Sequence, residues 1–88
     1  NVKIKKAAAS GKSVKLSWKR NKKATGYVIY RSTKKNSGYK RIKKINNNKT
    51  VSYQDKKIRK KGNYYYKIVT VKKGNASAMS TAKKVKVK

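Results

Sequence analysis

The chain of 88 residues contains no His, no Cys and no Glu, and its only acidic residue is Asp55. Catalysis most often uses paired carboxylates, a thiolate, or an imidazole that acts as nucleophile or base, and none of these is available. One carboxylate cannot build a Mg²⁺ or Ca²⁺ site by itself, and no other charged metal ligand is present. We therefore predict that the chain is not an enzyme and that it binds no cofactor and no metal.

Disulfides and membrane spans are also excluded. Without cysteine no disulfide can hold the fold together, and no apolar run approaches the ~18 residues of a membrane-spanning helix. The fold must therefore depend on a hydrophobic core. A chain of this length forms one domain, residues 1–88, and buries roughly 60–65% of its unfolded surface.

Positive charge is abundant instead. Lys and Arg number 29, which gives a formal net charge of +28. Such a chain repels itself and attracts polyanions. Its charge and its mean hydropathy of -1.06 would be typical of a disordered chain. Seven Tyr and one Trp, set among Val and Ile in a regular pattern, favour a folded chain, because aromatic side chains bury much area per residue.

Apolar and polar residues alternate along seven short segments, which is the pattern of β-strands. The clearest segment places Val14, Leu16 and Trp18 between Ser and Lys residues. The other six contain Val2 and Ile4; Tyr27 and Ile29; Tyr39, Ile42 and Ile45; Val51 and Tyr53; Tyr64, Tyr66 and Ile68; and Val85 and Val87. In the third of these six the spacing of three residues predicts a bend or a bulge. We predict an all-β, seven-stranded antiparallel β-sandwich of the immunoglobulin-like type.

The same alternation predicts the core and the surface. The core should contain Trp18, Tyr27, Ile29, Tyr64, Tyr66 and Ile68. Lys residues fall on the outer faces and in loops, where their stems cover apolar neighbours while the charges stay in water. Self-repulsion remains, so stability should rise with salt.

Several segments match a known pattern in order and spacing: residues 14–18, 24–32, 38–42 and 52–55, then Ile58 followed by residues 62–68. Together they resemble a fibronectin type III domain of the Lys-rich kind found as repeats in bacterial surface proteins. The resemblance implies an extracellular or cell-surface location. It also implies that Trp18 is the core Trp of the second strand, Tyr64 a corner tyrosine bonded to the preceding loop, and Ile58 the apolar plug beneath it. The chain departs from the family pattern in having no Pro before Gly62.

Asp55 is expected to be structural. In the resemblance it begins the loop before Tyr64, where a short acceptor can bond the backbone N–H of Lys57 or Ile58 in an Asx-type turn.

Three groups of basic residues are candidate polyanion-binding sites. Clustered Lys and Arg are typical of heparin-like and nucleic-acid contacts. The alternative is that these residues are simply solvated, in a chain that is basic everywhere. Lys at the C-terminal end of the chain should decorate an edge strand and discourage pairing between sheets. The three candidate groups are Lys56, Lys57, Arg59, Lys60 and Lys61; Lys40, Arg41, Lys43 and Lys44; and Lys67.

Aromatic residues offer a second kind of candidate. The run Tyr64-Tyr65-Tyr66 among Lys residues could mimic the stacking platform of an RNA-binding sheet. Alternation favours core packing for Tyr64 and Tyr66 and leaves only Tyr65 outward. Tyr30 and Tyr65 are therefore the exposed aromatic candidates, and we expect them to share an outer sheet face with Lys67. That face is the best candidate surface for a ligand or a neighbouring domain.

Three functions remain compatible with these features. The first, which we favour, is a non-catalytic structural or interaction module (spacer, adhesion or assembly repeat) of an extracellular bacterial surface protein. Its partners would be anionic polymers, namely cell-wall polymer, acidic glycan or nucleic acid, bound without specificity, together with neighbouring repeats or further copies. No small-molecule substrate is expected. The second is a dedicated nucleic-acid-binding basic protein, and the third is an engineered scaffold whose charge was raised.

Overall fold

The computed structural model describes residues 3–56, 58, 60–72, 75–76 and 82–87. Val2, Lys57, Arg59 and Lys88, which entered the sequence predictions, lie outside these residues. The described residues form eight β-strands and no helix. The strands are β1 (Ile4–Ser10), β2 (Ser13–Trp18), β3 (Gly26–Ser32), β4 (Lys40–Ile45), β5 (Ser52–Asp55), β6 (Gly62–Lys72), β7 (Asn75–Ala76) and β8 (Lys83–Val87).

The strands form two antiparallel sheets. The smaller sheet has the order β1-β2-β5, and in the larger sheet β4, β3 and β6 are neighbours in that order. β3 occupies one edge of β6, while β7 and β8 both pair with the other edge, near opposite ends of β6. β7 and β8 thus share the position of a single seventh strand. The predicted all-β, immunoglobulin-like sandwich is confirmed, and the described strands number eight because two of them, β7 and β8, pair with the same edge of β6.

The core lies between the two sheets, where every second side chain of each strand points inward. All six residues predicted for the core are buried. Trp18 of the smaller sheet meets Tyr27 of the larger one edge to face, with ring centroids 5.5 Å apart and an interplanar angle of 62°. Such a pair stabilises the contact beyond the area it buries, so this aromatic contact helps to hold the two sheets together.

β4 follows the predicted irregularity. Ile29 pairs with Lys43 and Tyr30 with Arg41, which leaves Ile42 as the extra residue of a bulge. Gly26 allows the start of β3 to approach the end of β4, because a Cβ there would lie 2.0 Å from the carbonyl oxygen of Ile45.

Two residues of the predicted strands lie outside the strands as the structure has them. Val51 precedes β5 and is exposed, although its alternation with Tyr53 predicted a strand position. Tyr39 precedes β4 and is half-buried on the surface, although its spacing from Ile42 predicted a shared apolar set. In both cases the ordered strand begins one residue later than the apolar pattern does.

The loop before β6 has a tyrosine corner. The hydroxyl of Tyr64 donates a hydrogen bond to the carbonyl oxygen of Lys60 at 2.5 Å. Ile58 is buried in the same core cluster as Tyr64. The hydrogen bond of Tyr64 to the preceding loop has the form that the resemblance implied, and Ile58 belongs to the same core.

Replacing the core tryptophan should be costly. We expect Trp18→Ala to lower the free energy of unfolding by about 3–5 kcal/mol, because it removes a large buried ring and leaves a cavity. Urea denaturation followed by circular dichroism would measure the loss. Val51→Ala, at an exposed position, is the control and should change stability by no more than about 0.5 kcal/mol. A Trp18→Ala loss below about 1 kcal/mol would contradict the core role.

The corner hydroxyl should have a smaller effect. We expect Tyr64→Phe to cost about 1 kcal/mol, because the carbonyl of Lys60 loses its donor while the ring stays in place. Thermal melts should compare this variant with Tyr65→Phe. The Tyr65 hydroxyl makes no hydrogen bond to the described residues, so its removal is the control. Equal melting temperatures for the two variants would remove the corner assignment.

Candidate functional site

The only carboxyl side chain of the protein lies inside the sandwich. Asp55 is 0% exposed at the end of β5, in the smaller sheet. Its Oδ2 accepts hydrogen bonds from Nη1 of Arg31 at 2.7 Å and from the hydroxyl of Tyr66 at 2.8 Å. Arg31 and Tyr66 are direct partners on β3 and β6 of the larger sheet. The carboxylate therefore joins the two sheets through two charge-assisted hydrogen bonds.

These cross-sheet partners were not predicted. The sequence indicated a structural Asp55 but pointed to partners in the following loop, and of the two proposed there Lys57 lies outside the described residues. Arg31 was overlooked because a cation in so basic a chain resembles any other surface residue. A signal was present, however: Arg31 has the same strand parity as Tyr27 and Ile29, which alternation places inward.

Burial and hydrogen bonding shift the ionisation of both partners. Burial by itself would lower the pKa of Arg31, but the hydrogen bond from Arg31 and the negative charge of Asp55 outweigh it, so the pKa is raised. Burial raises the pKa of Tyr66 far above its ordinary value of 10.0, and the hydrogen bond to Asp55 raises it further. Tyr66 is thus a neutral donor and Arg31 a cation at neutral pH.

The surface consequently carries no carboxyl side chain, since Asp55 is the only acidic residue and is buried. The candidate cations of β4 and of the loop before β6 are exposed, except that Lys57 and Arg59 are not described. No intramolecular carboxylate competes for these side chains. Those exposed are Lys40, Arg41, Lys43, Lys44, Lys56, Lys60 and Lys61.

The outer side of the larger sheet has a tyrosine–lysine face, which we define as Tyr30, Tyr39, Tyr65 and Lys67. Tyr30 and Lys67 are direct cross-strand partners, and alternation along β6 places Tyr65 on the same side. The face therefore combines the three residues that the sequence placed together. Tyr30 and Tyr65 are half-buried, however, and not fully exposed as expected.

Tyr39 is a member of this face that sequence reasoning missed. The Lys67 Nζ lies 4.6 Å from the centroid of the Tyr39 ring, which is within cation–π range. The Tyr39 hydroxyl donates to the carbonyl oxygen of Lys35 at 2.6 Å and so fixes the ring. Burial, followed by the neighbouring Tyr65, raises the pKa of Tyr39. The face is therefore a cation held among aromatic rings, which can stack on a planar or ring-shaped ligand.

Neither a metal centre nor a membrane-spanning helix is found in the part of the chain that the structure describes. It contains no group of three His, Cys, Asp or Glu, and no helix long and apolar enough to cross a membrane.

No protein-family model matches the chain, and no curated protein matches it in sequence. Solved structures do match. An Fn3-like protein from Clostridium thermocellum aligns with a TM-score of 0.86 at 23% identity, over 100% of this chain and 93% of its own. The fold is that of a fibronectin type III domain. A human fibronectin type III domain, from the KIAA0970 protein, aligns with a TM-score of 0.76 at 15% identity, over 93% of this chain and 68% of its own.

A larger protein also contains this fold. Pectate lyase PelI from Erwinia chrysanthemi, solved in complex with tetragalacturonic acid, aligns with a TM-score of 0.81 at 21% identity over 96% of this chain. The present chain spans 28% of the length of that lyase. At these identities the likeness shows the fold, and function must be argued from the surface of this chain itself.

The buried contact of Tyr66 should be visible in an alkaline titration. Because its pKa is raised in the folded chain, Tyr66 should stay protonated about one unit above the ordinary value, where a free tyrosine is mostly ionised. The unfolded chain releases that proton near pH 10, so this contribution to stability is complete below that pH and declines above it.

Tyrosinate absorbance of the protein and of Tyr66→Phe would test this. In the folded state the two should differ little up to about one unit above the ordinary pKa, and in denaturant they should differ by one full tyrosinate. A full tyrosinate difference in the folded state would show that Tyr66 is not held by Asp55.

Proposed function

We propose that this chain is a non-catalytic structural and interaction module of an extracellular bacterial surface protein, and that its cationic surface adheres to anionic polymers. The burial of Asp55 is the observation that supports this most. Most cationic proteins intersperse carboxylates among their Lys and Arg residues, and a polyanion must then compete with internal ion pairs. Here the exposed cations of the described residues can bind a polyanion without breaking an ion pair with an acidic side chain.

The fold supports the same proposal. Fibronectin type III domains generally serve as non-catalytic structural or interaction modules. The tetragalacturonic acid in the lyase complex is an acidic sugar oligomer, and it belongs to the lyase as a whole. It supports the expectation that a module of this fold works beside acidic glycans.

The physical basis of adhesion would be release of counterions. A polymer of high charge density holds a layer of small cations, and each Lys that replaces one releases it to solution. Exposed Lys residues on β4 and in the loop before β6 would take part in this exchange. Affinity should therefore follow the charge density of the polymer more closely than its chemical identity.

Binding to a matched set of polymers at physiological salt tests the proposal. Duplex DNA, structured RNA, heparin and wall teichoic acid are the polyanions, and dextran is the neutral control. We expect affinity to increase with charge density and to be absent for dextran. Failure to bind any of the four polyanions would overturn the proposal.

A dedicated nucleic-acid-binding function is the second candidate, and the tyrosine–lysine face favours it, since aromatic rings beside a cation can stack on unpaired bases. It predicts at least a hundredfold preference for RNA over heparin, lost in Tyr30→Ala or Tyr65→Ala. Tyr53→Ala, on the smaller sheet, is the control for a general effect of removing a partly buried tyrosine. If both Tyr30→Ala and Tyr65→Ala keep the preference for RNA, the RNA-binding site lies elsewhere on the molecule.

A further inference from the structure

A groove runs across the outer side of the smaller sheet, away from the tyrosine–lysine face. Its volume is about 520 Å³, within the range of roughly 300–1,000 Å³ typical of ligand sites. Small side chains form its floor. The residues that line it are Lys5, Lys6, Ala8, Lys15, Ser17, Trp18, Val51 and Ser52.

The floor follows from strand register. Lys6, Ser17 and Ser52 are cross-strand partners in one row across β1, β2 and β5. Ala8 and Lys15 belong to the next row with the same orientation. The small side chains Ala8, Ser17 and Ser52 leave the sheet surface open, and the two hydroxyls can bond to a ligand.

A bulge in β1 concentrates the charge. Ile4 pairs with Trp18 and Lys6 with Ser17, so Lys5 is an extra residue between two paired ones. In a regular strand Lys5 and Lys6 would point to opposite faces, and a bulge re-aims one of them. Both Lys5 and Lys6 therefore line the groove, opposite Lys15.

Three cations thus surround an open, hydroxyl-bearing floor, and no carboxylate neutralises them, because the only one is buried between the sheets. We propose that this groove is a binding site for a chain of carboxylated sugars, an acidic glycan. This inference rests on the proposed function and adds a location and a ligand class to it. The Lys residues would bond the sugar carboxylates, while Ser17 and Ser52 would bond the sugar hydroxyls.

The end of the groove fits a sugar as well. Trp18 and Val51 form this end. Val51 is 39% exposed, and among the described residues it is the one large apolar side chain that is exposed. The indole N–H of Trp18 is buried and has no acceptor among the described residues. Because the indole is enclosed in the core, a ligand in the groove would contact Val51 and not that N–H, and the apolar C–H side of a sugar ring would cover Val51.

Nucleic acid suits this groove less well than it suits the tyrosine–lysine face. Unpaired bases bind by stacking on exposed aromatic rings, and the only ring that lines the groove belongs to Trp18, which is 3% exposed. The two surfaces of the sandwich are therefore suited to different polyanions.

Trp18 provides a direct readout because it is the only tryptophan of the chain. We would titrate the full chain with galacturonic acid oligomers at physiological salt and follow Trp18 fluorescence and binding heat. Neutral galactose oligomers of the same length are the ligand control. We expect a saturable change in fluorescence with the acidic oligomer and none with the neutral one.

Two triple variants separate the groove from general charge. Lys5→Gln, Lys6→Gln and Lys15→Gln together should weaken binding at least tenfold. Lys34→Gln, Lys35→Gln and Lys84→Gln together remove the same charge from exposed positions outside the groove, and should weaken it about threefold or less, as expected for screened charges at a distance. Ala8→Leu adds bulk to the floor at an exposed position without changing charge, and should weaken binding at least fivefold.

The outcomes distinguish this inference from the proposed function. Equal losses in the two triple variants, or no effect of Ala8→Leu, would overturn the groove while leaving charge-driven adhesion standing. Tighter binding of single-stranded DNA than of the acidic oligomer, lost in the groove variants, would overturn the glycan assignment. Absence of binding to any polyanion would overturn both proposals. Circular dichroism melts confirm that each variant is folded.

Discussion

The contact among Asp55, Arg31 and Tyr66 determines both how the sandwich is held together and what its surface presents. Charged groups lose hydration on burial, and this loss is tolerated when each has a partner at good geometry. Here the carboxylate has donors at 2.7 and 2.8 Å from the opposite sheet. The same arrangement takes the only negative side chain out of contact with water. The same contact thus holds the two sheets together and leaves a surface whose charged side chains are all cations.

The rest of the fold accommodates the remaining charge. Aromatic and β-branched side chains fill the space between the sheets, so the core forms without a disulfide. Lys side chains occupy the outward positions, where the charge is hydrated and the stem covers the sheet. Self-repulsion lowers the stability of the compact state but also opposes edge-to-edge pairing, since β4, at one edge of the larger sheet, has four exposed cations. The molecule gives up some stability and gains resistance to aggregation.

The alternation of apolar and polar residues predicted those features of the fold that depend on one strand alone. Alternation correctly placed Trp18 and Tyr66 in the core and indicated the bulge at Ile42, because a period of two is a property of each strand alone. Arg31 and Tyr39 could not be placed in the same way. Their roles depend on partners 24 and 28 residues distant, Asp55 and Lys67. Lys6 was hidden for a different reason. Alternation from the buried Ile4 points Lys5 outward and Lys6 inward, and it is the bulge that brings Lys6 to the outer side beside Lys5. A bulge is an irregularity of pairing between strands, so the sequence of β1 alone does not reveal it.

A surface without carboxylates also determines how divalent cations would act. Ca²⁺ bridges two acidic partners when each supplies charged oxygen ligands, and this protein supplies none on its exterior. Calcium would instead bind the carboxylates of an acidic glycan and compete with Lys for them. On the proposed glycan binding, calcium would act on this module as a displacing ion, the reverse of its action on domains that use calcium to bridge two acidic partners.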